Sequence, residues 1–261
     1  MERQPALDDL LQRCTLRLVV PDGHGTGFFV APRLILTCAH VVKSAPANQT
    51  AVTAYWNGQS YAAQVEDSRA DLNVDLALLE IDLAKHPCVL LSQEARPFNK
   101  LYSYGYPTDY TDGAAATFEV EGRIGDQQEH LKFKQGQVQP GMSGAPLLNW
   151  ETGGVCGIVQ FSRDRSSDLG GDALLGKRVL QEFPELVEKQ KQFHQQERDW
   201  YDCLTPQQHQ ALGLVTPADA KDIIEVFYSY AEEDERLVKE LQKQLVGVNP
   251  FDRTRVIGRF P

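Results

Sequence analysis

The sequence of 261 residues has no long hydrophobic run and a marked excess of acidic over basic residues. No stretch is apolar over the roughly 20 residues that a membrane-spanning helix needs. Residues 1–5 lead into no hydrophobic signal core, so we expect a cytoplasmic protein without a membrane segment. The net charge of −10 argues against nucleic acid or an anionic membrane as a partner, because both attract clustered positive charge.

The five cysteines show neither a CxxC pair nor the spacing of metal ligands. They are Cys14, Cys38, Cys88, Cys156 and Cys203. An odd, scattered set is typical of reduced thiols in a cytoplasmic protein rather than of a disulfide framework. The histidines also lack zinc-ligand spacing. We therefore expect no metal and no cofactor.

Short apolar runs separated by Gly, Asn, Pro or Asp extend from residue 14 to residue 161. Residues 25–30 and 34–37 form one such pair across an Ala-Pro-Arg break, a pattern that indicates a β-hairpin. No helical segment interrupts the series, although residues 6–13 predict a short leading helix. This organisation predicts an all-β domain of antiparallel barrels or sandwiches.

The pattern changes after residue 176 to apolar positions spaced among Glu, Lys and Gln. Residues 177–198 predict amphipathic helices broken near Pro184. Residues 195–219 are rich in glutamine and contain two prolines, which is typical of a linker with a short helix. Residues 223–230 then predict a strand and 232–246 an amphipathic helix. The remaining tail has no period, and we expect it to be loose.

A serine between two glycines is the first candidate for chemistry. In residues 141–147 the sequence Gly-Met-Ser-Gly-Ala-Pro-Leu can expose Ser143 on a tight turn, because glycine adopts positive φ. The amides of Gly141 and Ser143 could then form an oxyanion hole. The alternative is an ordinary glycine-rich hairpin turn.

A histidine and an aspartate at strand ends could complete the site. Alone, His40 would more often be a satisfied core residue, and Asp75 a helix cap or turn former. Together with Ser143 they match acyl transfer, in which imidazole takes the serine proton and a carboxylate fixes the imidazole tautomer. Asp71 is a rival to Asp75, which we favour because it adjoins the apolar run 76–81.

Four segments resemble the chymotrypsin-like serine peptidases, and most closely the minimal bacterial trypsin-like and HtrA-like members: residues 25–28, 36–42, 75–79 and 141–147. The resemblance covers about residues 14–185 and includes Tyr104-Gly105-Tyr106-Pro107, which is similar to a Gly-x-Pro turn of that family. It implies a double β-barrel in which His40, Asp75 and Ser143 form the catalytic triad.

Two departures from secreted trypsins accompany the resemblance. Met142 stands where those enzymes carry the aspartate that pairs with a newly cut N-terminus, so we expect no such activation switch. Cys38 has no cysteine just after His40 to form the flanking disulfide. Both departures fit a cytoplasmic enzyme whose cleft is already assembled or is assembled by a partner.

The resemblance also implies substrate-binding residues: Gln137 and Val138 near the base of the primary pocket, and Gln160, Phe161 and Ser162 on an edge strand that pairs with the substrate backbone. No acid occupies the pocket-base position of trypsin, so a simple preference for Arg or Lys is not supported. Asp168 or Asp172 could still reach the pocket, and small-to-medium uncharged side chains are the expected preference.

The C-terminal segment has a resemblance of its own. Residues 222–235, followed by leucines at helical spacing, resemble the opening strand and first helix of a TIR domain. About 40 residues are too few for a complete TIR fold, so NAD cleavage is not expected. A strand–helix appendage of the peptidase is the alternative.

The whole sequence therefore predicts a chymotrypsin-like double β-barrel with a helical C-terminal extension and a short strand–helix tail. The expected divisions are a peptidase domain (1–185), a helical linker (186–220) and a partial TIR-like or strand–helix appendage (221–261). We expect a serine endopeptidase acting on protein or peptide substrates. The two resemblances together suggest an effector in a bacterial defence or signalling pathway, with a regulatory protein partner bound through the extension. The alternative is a binding or scaffold module of the same fold, coupled to TIR-type signalling.

Overall fold

The structure, a computed structural model, describes residues 7–44, 52–70, 74–83, 85–93, 95–125, 130–162, 169–214, 225–229 and 255–259. For residues 161–162, 225–229 and 255–259 it describes the backbone. The chain divides into two units, Met1–Leu212 and Gly213–Pro261. The first unit contains all the residues for which the sequence predicts chemistry.

Six antiparallel strands form a first closed barrel in the order β1-β2-β3-β6-β5-β4. They are β1 (Thr15–Val20), β2 (Gly23–Ala31), β3 (Leu34–Thr37), β4 (Val52–Trp56), β5 (Gln59–Arg69) and β6 (Leu76–Ile81). Pairing of Leu18 with Ala54 joins β1 to β4 and closes the barrel. Phe28 and Phe29 are fully buried, and each contributes on the order of 2 kcal/mol by burial of its ring.

Six further strands form a second closed barrel in the order β10-β11-β12-β9-β8-β7. They are β7 (Lys100–Gly105), β8 (Ala114–Ile124), β9 (His130–Lys134), β10 (Pro146–Asn149), β11 (Gly154–Ser162) and β12 (Gly171–Leu175). In β9 the apolar Leu131 and Phe133 are buried while the polar residues that alternate with them are half-buried, as one buried face of a strand requires. Phe133 packs against Phe118 with ring centroids 4.6 Å apart and the rings tilted by 52°.

The strand order in both barrels is the same when each is counted from its own first strand: first, second, third, sixth, fifth, fourth. The prediction of an all-β domain of antiparallel barrels is therefore confirmed. Closure leaves neither barrel with a full-length open edge. The loops at strand ends consequently carry the candidate chemistry on a rigid frame.

In the part of the chain that the structure describes, five helices flank the barrels: α1 (Leu7–Cys14), α2 (Gly176–Glu182), α3 (Glu185–Gln196), α4 (Asp199–Asp202) and α5 (Pro206–Ala211). The start of α5 is fixed by a capping box, in which the Thr205 hydroxyl accepts from the Gln208 amide and the Gln208 side chain accepts from the Thr205 amide. Pro206 follows at the first helical position, where the backbone N–H that proline lacks would have no partner within the helix.

Residues 186–212 belong to the first unit, although the sequence analysis divides the peptidase from a linker at residue 185. Polar side chains of the helices satisfy backbone groups in the segments that join the barrel strands. Gln190 Nε2 donates to Val89 O at 2.8 Å, and Trp200 Nε1 donates to Gly153 O at 2.8 Å. Gln208 Nε2 donates to Trp150 O at 2.7 Å. These bonds make the helices part of the barrel unit.

The second unit contains two parallel strands, β13 (Glu225–Ser229) and β14 (Arg255–Arg259). The strand predicted at 223–230 is found over 225–229. The expectation of a loose tail is wrong for β14, where Val256 and Ile257 pair with Val226 and Phe227. Two apolar residues are too few to show a period, and their partners lie about 30 positions earlier, so the pairing leaves no local signal. The helix predicted at 232–246 lies outside the described residues.

Within the described residues no helix combines the length and the apolar character that crossing a membrane requires. Cys14, Cys38, Cys88 and Cys156 are buried thiols. Burial raises the pKa of Cys156 to about 12, so this thiol stays protonated and behaves as a small apolar side chain.

Candidate active site

Strand pairing in the first barrel brings His40 and Asp75 together. Strands β3 and β6 are antiparallel neighbours, and Thr37 at the end of β3 pairs with Ala77 near the start of β6. His40 follows β3 within a 3-10 turn, Ala39–Val42, and Asp75 directly precedes β6. The register therefore sets the two side chains at the same end of the barrel.

Two hydrogen bonds join His40 to the Asp75 carboxylate. His40 Nδ1 lies 2.6 Å from Asp75 Oδ2, and the His40 backbone amide donates to Asp75 Oδ1 at 2.9 Å. An ionised carboxylate only accepts, so Nδ1 carries the proton and Nε2 is the nitrogen that can take one up. The His40 side chain is 42% exposed and that of Asp75 is 10% exposed, so the base faces solvent and the acid is enclosed.

Asp75 itself has an unusual backbone conformation. Its φ of +47° lies in the left-handed region, which costs a non-glycine residue about 1 kcal/mol or more. The Asp75 carbonyl accepts from the Ala39 amide at 3.3 Å, beside the side-chain bonds to His40. The surrounding hydrogen bonds hold this conformation.

Ser143 lies on a turn that contains two glycines in the left-handed conformation. Gly141 has a φ of +97° and Gly144 a φ of +87°. A Cβ added at Gly141 would lie 2.4 Å from Tyr106 O, and one added at Gly144 would lie 2.0 Å from Thr26 O. The turn leads into β10, and the Ser143 hydroxyl donates to Gln160 O at 3.2 Å. Catalysis requires this proton to pass to an imidazole instead.

The amides of this turn divide into two sets. Those of Met142, Gly144 and Ala145 donate to backbone carbonyls at 2.8–3.0 Å. Among the described residues no backbone carbonyl accepts from the amide of Gly141 or of Ser143. These are the two amides that the sequence predicts for an oxyanion hole.

His40, Gly141 and Ser143 line one cleft of about 660 Å³. The polar or charged side chains of Asp22, His24, Lys43 and Ser44 also line it. Burial, with a smaller effect of the Arg17 charge, lowers the pKa of His24 below its ordinary value. Sequence reasoning gave no sign of His24, because a single histidine between two glycines has no distinctive spacing. A larger cavity of about 890 Å³ is lined by other residues and contains none of the three.

Gln137 and Val138, predicted near the base of the primary pocket, and Gln160, predicted on a strand that pairs with the substrate backbone, are not among the residues that line this cleft. Val138 is buried in the core of the second barrel, and Gln137 is half-buried, with its Oε1 3.3 Å from Gln139 Nε2. Gln160 is 2% exposed, and its Nε2 donates inward to Val74 O at 2.7 Å. Neither the Val138 nor the Gln160 side chain is exposed enough to form the surface of a substrate pocket.

The backbone of β11 does offer an edge. Its ladder with β10 ends at Ile158, whereas its ladder with β12 continues through Phe161 to Ser162. Beyond Gln160, which accepts from Ser143, the strand therefore has no ladder partner from β10. Asp172, in β12, pairs with Phe161 of β11. Asp71 and Asp168 lie outside the described residues.

Cys38, His40 and Asp75 also form a cluster whose possible ligand atoms lie within 4.8 Å of one another. The Nδ1–Oδ2 distance of 2.6 Å is that of a hydrogen bond. Two ligands of a tetrahedral zinc, each about 2.0 Å from the metal, would be about 3.3 Å apart. Burial and the Asp75 charge raise the pKa of the Cys38 thiol well above its ordinary value, so the thiol stays protonated. The geometry fits an acid–base pair better than a metal site.

Comparison with protein families matches residues 25–158 to the trypsin-like peptidase domain. The match spans half of the chain and contains His40, Asp75 and Ser143, and the chain belongs to this family. A search of curated proteins gave no significant match. Family and fold together support a peptidase that acts on protein substrates.

Solved structures of the Rv3671c protease from M. tuberculosis share the fold. A serine-to-alanine mutant of the H37Rv protein in its inactive form is 23% identical, with a TM-score of 0.57 over 72% of this chain and 93% of that one. The active form is 21% identical, with a TM-score of 0.57 over 72% and 92%. At these identities the likeness concerns architecture, and it confirms the predicted chymotrypsin-like double β-barrel.

Proposed function

We propose that this chain is a serine endopeptidase that cleaves protein substrates through an acyl-enzyme. One observation carries the proposal: His40 is held by two hydrogen bonds to Asp75 in a cleft that Ser143 also lines. These are the nucleophile, base and orienting acid that serine acyl transfer needs. Membership of the trypsin-like family and the likeness to the Rv3671c protease support the same reaction.

In this reaction Ser143 exchanges its hydrogen bond with Gln160 O for one with His40 Nε2 and attacks the scissile carbonyl. His40 takes the hydroxyl proton and later gives it to the leaving amine, while Asp75 stabilises the imidazolium. The amides of Gly141 and Ser143 bind the oxyanion of the tetrahedral intermediate. Water then attacks the acyl-enzyme, with His40 acting again as base, and restores the serine.

We propose that the substrate binds as an added strand along β11. The backbone of Phe161 and Ser162, beyond the end of the β10 ladder, supplies the hydrogen-bonding edge that extended peptides use. The Val138 side chain is in the core of the second barrel. In this proposal Val138 therefore contributes only its backbone to the primary pocket. An uncharged side chain is the expected preference of the primary pocket.

The test is cleavage of a peptide library together with labelling by a fluorophosphonate. Ser143→Ala is expected to lower kcat by a factor of about 10⁶, as in a convergent serine protease. Ser44→Ala, which removes another hydroxyl from the same cleft, is the matched control and should leave cleavage and labelling unchanged. Cleavage that survives in purified Ser143→Ala, or a label on another residue, would refute the proposal. A folded wild type that neither cleaves nor labels would favour the scaffold alternative.

We further propose that the protein works in a reducing cytoplasm, regulated by a protein partner bound through residues 213–261. Its buried thiols and the resemblance of residues 222–235 to the start of a TIR domain support this. A role in bacterial defence or signalling follows from the same resemblance. A chain ending at Leu212 should cleave peptides as the full chain does but lose regulated cleavage in cells. Unchanged regulation would contradict the proposed partner.

A further inference from the structure

A buried threonine of the first barrel contacts the catalytic turn of the second. Thr26 lies in β2, and its side chain is fully buried. Its hydroxyl donates to Gly141 O at 2.7 Å, and its backbone amide donates to Ser143 O at 3.0 Å. One residue therefore holds the carbonyls of both residues whose amides the proposed oxyanion hole uses.

The direction of these hydrogen bonds is fixed by their partners. The Tyr106 amide can only donate, and it lies 2.9 Å from Thr26 Oγ1. The hydroxyl therefore accepts from Tyr106, and its single proton goes to Gly141 O. Both capacities of the Thr26 hydroxyl are used by backbone groups, and a side chain without a hydroxyl would leave both groups unpaired.

Peptide planarity transmits this constraint to the amide of Ser143. In a trans peptide the carbonyl and the following amide point in opposite directions. Thr26 fixes the carbonyls of Gly141 and Ser143, which belong to the peptide planes on either side of the Met142–Ser143 plane. The Met142 carbonyl accepts from Ala145 at 2.9 Å, so the Ser143 amide is directed the other way. The turn has little freedom to rotate that amide out of the hole.

Glycines allow the close approach that this arrangement needs. A Cβ at Gly144 would lie 2.0 Å from Thr26 O, and a Cβ at Gly105 would lie 3.0 Å from Thr26 Oγ1. Gly105 belongs to the Tyr-Gly-Tyr-Pro motif of the sequence analysis. Because Gly105 has no side chain, Thr26 can approach this motif closely. The hydrogen bond from the Tyr106 amide to Thr26 Oγ1 then connects the motif to the oxyanion turn.

We propose that Thr26 is a positioning residue that sets the oxyanion hole of this peptidase. The inference rests on the proposed function and deepens it. The hydroxyl does not touch substrate. It holds the Gly141–Ser143 turn in the conformation in which two amides converge on the reacting oxygen, and preorganised donors of this kind stabilise the transition state more than the ground state.

The experiment compares Thr26→Val, which keeps the shape but removes the hydroxyl, with Thr26→Ser, which keeps the hydroxyl. Thr26→Val is expected to lower kcat by roughly tenfold to a hundredfold, with KM changed less than about twofold. Affinity for a peptide boronate, which mimics the tetrahedral intermediate, should fall by the same factor. Thr26→Ser should stay within about threefold of wild type in both measurements.

The matched control is Thr15→Val, a buried threonine of the same barrel whose hydroxyl donates to Leu11 O at 2.7 Å, away from the turn. It should lose stability as Thr26→Val does and yet keep kcat. If Thr26→Val does not fold, Thr26→Cys, with a weaker hydrogen-bonding group, must show the fall in kcat.

Several results would overturn the inference. They are a kcat of Thr26→Val (or of Thr26→Cys in its place) within twofold of wild type, a rise in KM alone, or a serine variant as impaired as the valine variant. If wild type cleaves peptides and loses this activity on Ser143→Ala, any of these results removes the role of Thr26 and leaves the proposed function standing. Failure of wild type to cleave removes the proposed function itself.

Discussion

At the scale of single residues, the enclosed Asp75 carboxylate determines what His40 can do. It accepts from both the ring and the backbone of His40, at 2.6 and 2.9 Å. An amide in its place can donate to Nδ1 and so favour the tautomer that leaves the proton on Nε2. That tautomer cannot take a proton from serine.

We therefore predict that Asp75→Asn lowers kcat by about 10⁴, the cost of this exchange in another Ser-His-Asp triad. KM should change little, because Asp75 does not touch substrate. Steady-state kinetics on a cleaved peptide measures both. Asp22→Asn is the matched control, since Asp22 is an exposed aspartate of the same cleft. Equal effects of the two substitutions would count against the proposed role of Asp75.

Sequence alone was enough to nominate His40, Asp75 and Ser143, because each lies at the end of an apolar run whose pattern is local. It could not nominate Thr26, whose hydroxyl bonds a carbonyl 115 positions away. It also gave no sign that the Gln160 side chain points inward. A glutamine near the end of a strand resembles a surface residue, and only the tertiary structure shows its amide donating to Val74 O across the barrels.

At the scale of elements, the turn before β10 depends on two left-handed glycines. Gly144 is the more restricted, because a Cβ there would lie 2.0 Å from Thr26 O and 2.5 Å from Thr37 Oγ1. The first of these atoms is backbone inside a closed barrel, so it cannot move without moving β2. The turn and the strand it approaches are therefore a single structural unit.

We predict that Gly144→Ala destabilises the protein by about 2 kcal/mol or more and also abolishes peptide cleavage. The added methyl group must displace the turn, and its positive φ adds strain of about 1 kcal/mol. Urea unfolding and kcat measure the two effects. Gly58→Ala is the matched control: its φ is +73° and its Cβ would meet nothing within 4 Å. It should show the strain without the loss of cleavage, and equal losses of cleavage would refute the steric explanation.

The strands themselves were largely predictable, since alternation as in β9 follows from one buried face per strand. Strand β14 was not, because its partner β13 is remote in the sequence and only two of its residues, Val256 and Ile257, are apolar. Barrel closure also has no local signal. It depends on the pairing of β1 with β4 and of β7 with β10, which no spacing within either strand encodes.

At the scale of the whole molecule, the helices after β12 extend the peptidase unit to Leu212. The sequence places residues 186–220 in a helical linker, and for residues 195–219 the reason is their glutamine and proline content. In the structure Gln190 and Gln208 are buried, and their side-chain amides donate to the carbonyls of Val89 and Trp150, in segments that join barrel strands. A buried glutamine that replaces water as a hydrogen-bond partner looks the same in sequence as an exposed one.

His194 on α3 makes the stability of this unit depend on pH. The residue is 1% exposed, and its Nε2 lies 3.1 Å from Val89 O, so the neutral ring donates to the backbone of the segment between β6 and β7. Burial lowers the pKa of His194 to about 4. The unfolded chain, with an ordinary histidine pKa near 6.5, binds this proton more readily than the folded chain between pH 4 and 6.5.

The free energy of unfolding should therefore be highest above pH 6.5 and fall as the pH is lowered toward 4, by on the order of 3 kcal/mol from this residue. In His194→Gln the amide can keep the bond to Val89 O but has no proton to gain. Urea unfolding of both proteins from pH 7.5 to 4.5 measures the difference in slope. The curves should run parallel above pH 7 and diverge below 6.5, with wild type losing more stability. Parallel curves over the whole range would show that α3 does not hold His194 neutral against the barrel.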